Sequence, residues 1–94
     1  MDDFLAEPPF KADEALLTLR RALRDLRLTE RGNGFEWKAQ RILEAEIQDQ
    51  AIAVKLAKRP LASPEFDTIT ITSSAQLRQL TDELKRRLAR WSDE

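Results

Sequence analysis

Residues 65–73 read Glu-Phe-Asp-Thr-Ile-Thr-Ile-Thr-Ser, and this run constrains the fold more than any other part of the chain. Thr68, Ile69, Thr70, Ile71 and Thr72 are all β-branched and alternate polar with apolar, the pattern of a strand with one buried face. Ile69 and Ile71 are expected to face the core. The threonines are expected to face water, with Phe66 on their side. A lone strand leaves its backbone N–H and C=O groups unpaired, so it needs neighbours. Pro60 and Pro64 bracket a loop before it and cannot sit in a central strand. Only 35–59 has room for partners.

That segment supports two readings. As strands, Phe35, Trp37 and Ala39 alternate, and Leu43, Ala45 and Ile47 continue in the same phase. Ile52, Val54 and Leu56 alternate again after a loop at Gln48-Asp49-Gln50. This is a hairpin with both halves facing one core. As a helix, Leu43, Ile47, Ala51 and Val54 make a partial stripe among good helix formers. The turn has neither Asn-Gly nor Asp-Gly to mark it. The partners that 65–73 requires favour the hairpin, and the alternative is an all-α chain with 35–59 helical.

Two amphipathic helices flank these strands. Over Ala12–Leu28, Leu16, Leu19, Leu23 and Leu26 recur at spacings of three and four, with Ala12, Ala15 and Ala22 beside them. Asp13 and Glu14 open this helix and Arg20, Arg21, Arg24 and Arg27 crowd its second half, which complements the helix dipole. Arg31-Gly32-Asn33-Gly34 is expected to end it. Over Ser74–Trp91, Leu77, Leu80, Leu84, Leu88 and Trp91 share a face. Ser73 and Gln76 have the spacing of a capping box, and Asp82/Arg86 and Glu83/Arg87 the spacing of helical ion pairs.

The order helix, strand, strand, strand, helix predicts the α+β class. The expected architecture is a two-layer αβββα domain, a three-stranded antiparallel meander with two helices packed on one face. Glu44, Glu46 and Lys55 belong on the other, exposed face. Residues 1–11 are expected to form an N-terminal arm anchored by Phe4, Leu5 or Phe10, the alternative being a frayed terminus. Residues 12–91 are a single domain and 92–94 a C-terminal tail.

Composition narrows the chemistry. The 94 residues include no histidine, cysteine or tyrosine, and 16 Lys+Arg against 17 Asp+Glu leave a net charge of −1. Disulfides, thiolate zinc sites and iron–sulfur clusters are excluded. Carboxylate pairs such as Glu44/Glu46 and Asp82/Glu83 lack a third ligand or a recognisable motif and read as solvated surface. No catalytic residue, cofactor or metal site is expected. The acidic start and the lack of a long apolar run predict a cytoplasmic chain without a membrane role.

The remaining expectation is a non-enzymatic interaction or accessory domain that binds a protein partner, or itself, through a sheet edge or an aromatic patch. Trp37, Phe35 and Trp91 are the candidate partner-binding residues, with Trp37 foremost as a ring at the end of an exposed edge. The alternative is a nucleic-acid-associated protein using the basic face of the second helix, with Arg78, Lys85, Arg86 and Arg90 as contacts. A sequence pI near 5.6 weighs against it.

Overall fold

The computed structural model describes residues 10–61 and 63–93. Phe4 and Leu5, two of the three expected anchors of the arm, lie outside them. Phe10 is half-buried and packs against the core. The elements run α1 (Ala12–Asp25), β1 (Thr29–Arg31), β2 (Gly34–Trp37), β3 (Gln40–Gln48), β4 (Ala51–Ala57), β5 (Phe66–Ile71) and α2 (Ser74–Ser92). All strands are antiparallel and form one sheet in chain order. The class is therefore α+β, and the helical alternative for 35–59 does not hold. The three-stranded meander is corrected to five strands, because a pair precedes the hairpin that the alternation revealed.

The two extra strands come from tight turns that apolar spacing does not mark. α1 ends at Asp25, not Leu28, and not through the glycines. Arg27 takes the left-handed conformation at φ 67°. Its N–H donates to Arg24 O at 2.8 Å, and the Leu28 N–H donates to Leu23 O at 3.2 Å. This is a Schellman cap with arginine where glycine is usual, closed by the buried pair Leu23 and Leu28. The glycines serve a hairpin instead. Arg31 pairs with Gly34 across Gly32-Asn33, and Gly32 has φ 60° while Asn33 stays negative, the pattern of a type II′ turn.

Two further two-residue turns follow. Trp37 pairs with Gln40 across Lys38-Ala39, and Gln48 with Ala51 across Asp49-Gln50. All four central residues have positive φ, between 51° and 67°, as type I′ turns require. The expected break near Asp49 is present. The run Phe35-Trp37-Ala39, expected as part of one strand with Leu43, is folded back on itself at Lys38. A bulge sits beside it: β2 advances from Phe35 to Glu36 while its partner skips from Leu43 to Arg41. Ile42 is the extra residue, and Ile42 and Leu43 are consecutive yet both fully buried.

Both helices cover one face of the sheet. α1 lies over β3 and β4, and α2 over β5 and against α1. Leu16, Leu19 and Leu23 of α1 meet Leu80, Leu84 and Trp91 of α2 in a core with Phe35, Leu43, Ala45, Ile52, Val54, Leu56 and Ile71 from the sheet. α2 begins as its sequence suggests. Ser73 Oγ accepts from the Gln76 N–H at 3.2 Å. The reciprocal bond goes one residue further back, with Gln76 Oε1 accepting from the Thr72 N–H at 2.6 Å and the Thr72 hydroxyl at 2.9 Å. On the open face, Glu44 and Glu46 flank the buried Ala45, and Lys55, Thr68 and Thr70 are exposed; Ile47, expected to continue the core face, is exposed near the end of the β3–β4 hairpin.

Candidate interaction surface at the free sheet edge

Among the described residues the five-stranded meander has two edges, β1 and β5, and they differ in kind. β1 is three residues long. Its Glu30 is held by Arg20 at 3.4 Å and Arg24 at 3.1 Å, and its Arg31 by Glu36 at 3.2 Å. A short, charged strand is the usual way a protein blunts an edge.

β5 is longer and carries a single charge. It is six residues long, contains no lysine or proline, and pairs with β4 without a register shift. The Lys58 N–H donates to Glu65 O at 2.9 Å, which sets the phase of the ladder. In that phase the backbone groups of Asp67, Ile69 and Ile71 point toward β4. Those of Phe66, Thr68 and Thr70 point away from the sheet. Beside this edge lies a notch of about 240 Å³ between β5 and α2. Ile69, Ile71 and Leu80 supply its apolar lining, and Gln76, Gln79 and Glu83 its polar side.

The one charge on β5 is neutralised from within. Asp67 accepts from Arg87 Nη2 at 2.9 Å and lies 3.7 Å from Lys58 Nζ. Arg87 also donates to Glu83 at 2.8 Å and to Ala57 O at 2.9 Å. Its side chain is only 13% exposed, so a single guanidinium joins α2 to β4 and β5. Burial pulls the Arg87 pKa down, but the hydrogen bonds to Glu83 and Asp67 outweigh this and raise it. The hydrogen bonds from Arg87 and then Arg86 hold the Glu83 carboxyl below its ordinary value.

The expected aromatic candidates lie elsewhere. Phe35 and Trp91 are buried, and Trp37 is half-buried. Trp37 and Trp91 are brought together, with ring centroids 5.8 Å apart at 43°, and Lys38 Nζ lies 4.6 Å from the Trp37 centroid. β2 is an interior strand between β1 and β3, with Trp37 one residue past the last β1 pair, Thr29–Glu36. The ring at the start of the free edge is Phe66, half-buried against the core.

The four basic candidates on α2 are exposed but divided. Arg78 and Lys85 line a groove of about 1070 Å³ between α1 and α2, where Glu14 and Asp82 are interspersed. Arg86 is paired with Glu83 at 2.9 Å, and Arg90 lies in the last turn of α2.

Among the described residues, no group of acidic side chains could hold a metal ion and no helix is long and apolar enough to cross a membrane. In comparison with known proteins, no protein-family model, no curated protein and no solved structure matches the chain.

Proposed function

We propose that this chain is a non-enzymatic interaction module that accepts an extended segment of a protein along β5. The observation that carries this is the outward-facing backbone of Phe66, Thr68 and Thr70 on a long terminal strand without lysine, proline or bulge. An added strand gains affinity from main-chain hydrogen bonds and specificity from pockets that take alternate side chains. The shallow notch beside Ile69 is the candidate for such a pocket. Arg87 supports the reading from behind, because Asp67 is already paired and places no free charge on the edge.

The test is a display library of random extended peptides selected against the immobilised protein. Thr68→Pro removes an N–H that the β4 ladder does not use, so it blocks the outer edge and leaves the inner one intact. Selected peptides are expected to compete with one another and to lose binding to Thr68→Pro. Binders indifferent to that substitution, or no binders at all, contradict the reading.

A further inference from the structure

We propose that β5 pairs with β5 of a second copy of the chain, antiparallel about a two-fold axis through Ile69. The inference rests on the strand-acceptor reading above and names its occupant. The strand is self-complementary in this register. Ile69 faces Ile69 of the second copy, Thr68 faces Thr70, and Asp67 faces Ile71. The backbone groups of Thr68 and Thr70 point outward, so each Thr68–Thr70 pair exchanges N–H···O bonds in both directions. Threonine pairs and aliphatic pairs are favourable cross-strand neighbours. Ile69 of the second copy then lies beside the notch formed by Ile69, Ile71 and Leu80.

Two other registers fit less well. An axis through Asp67 sets two aspartates against each other, which is destabilising. An axis through Thr70 sets Thr68 opposite Thr72, whose N–H is already held by Gln76 Oε1 at 2.6 Å, whereas the Ile69 axis keeps both Thr68–Thr70 pairs free of it. The edge of β1 has no such symmetry, being three residues with both of its charges engaged.

The chain has no cysteine, so one introduced thiol reports on one position. Ile69→Cys places two thiols at the axis, where opposed Cβ atoms of a non-hydrogen-bonded pair are about 4.5–5.5 Å apart. It is expected to form a disulfide-linked dimer on mild oxidation. Thr68→Cys alone faces threonine and is expected not to. In sedimentation equilibrium the unmodified chain is expected to be dimeric at about 200 µM, with Thr70→Lys and Thr68→Lys each weakening association about tenfold or more. Both positions are exposed, and circular dichroism of each variant verifies its fold.

A monomer throughout overturns the self-pairing, as does a dimer untouched by both lysines or a Thr68→Cys that cross-links as fast as Ile69→Cys. A monomer that still captures peptides sensitive to Thr68→Pro leaves the strand-acceptor reading standing. A monomer that captures none removes both.

Discussion

Arg87 decides more than any other single side chain in this molecule. Its planar fork reaches Glu83, Asp67 and the Ala57 carbonyl, so it serves the helix and two strands at once. Arg87→Ala strands these acceptors and is expected to cost about 1.5–3 kcal/mol, the range for hydrogen bonds to charged groups. Arg87→Lys restores the charge without the fork and recovers only part of the loss. The pH dependence carries a distinct signature. Because the folded Glu83 has a lowered pKa, its contribution is present above the ordinary carboxylate range and is lost as pH falls through the folded value. Denaturant unfolding from pH 7 to pH 3 is therefore expected to show a shallower acid limb in Arg87→Ala than in the unmodified chain. An equal slope in both contradicts the assignment.

At the scale of elements, the turns are the costly parts. Lys38, Ala39, Asp49 and Gln50 all adopt positive φ without a glycine among them, at about 1–2 kcal/mol per residue for most side chains. Replacing Lys38-Ala39 by Asn-Gly is expected to stabilise the protein by about 1 kcal/mol and raise Tm by about 4–8 °C. A lower Tm would show that the Lys38–Trp37 contact outweighs the turn.

The same residues explain what the sequence could and could not reveal. Leu16, Leu19 and Leu23, then Leu80, Leu84 and Trp91, announce their helices because burial repeats with the helical period. β5 and the β3–β4 hairpin are legible for the matching reason, a period of two. β1 carries Thr29-Glu30-Arg31, with no apolar residue to alternate, and its partner turns back at a Lys-Ala pair that carries no turn signal. Ile42 breaks the alternation of β3 through its bulge. The site was legible only in part. The threonine stripe of β5 marks a solvated face, but that this strand lies at the end of the sheet is a property of strand order. From that order Phe66 falls on an outer strand and Trp37 on an interior one.

For the whole molecule, the division of labour follows from the layers. Two helices seal one face and leave the other to Glu44, Glu46, Lys55 and the threonines. One edge ends in a short strand tied down by Arg20 and Arg24, and the other ends in β5 with its charge turned inward. In the strand-acceptor reading, the outer backbone groups of β5 stay open until another strand covers them. Residue-resolved amide hydrogen exchange tests this directly, comparing dilute protein with protein saturated by a selected peptide. Asp67, Ile69 and Ile71 are expected to be protected in both states, while Thr68 and Thr70 exchange freely when dilute and become protected on binding. Protection of Thr68 and Thr70 in the dilute chain, or continued free exchange in the saturated one, would contradict the account.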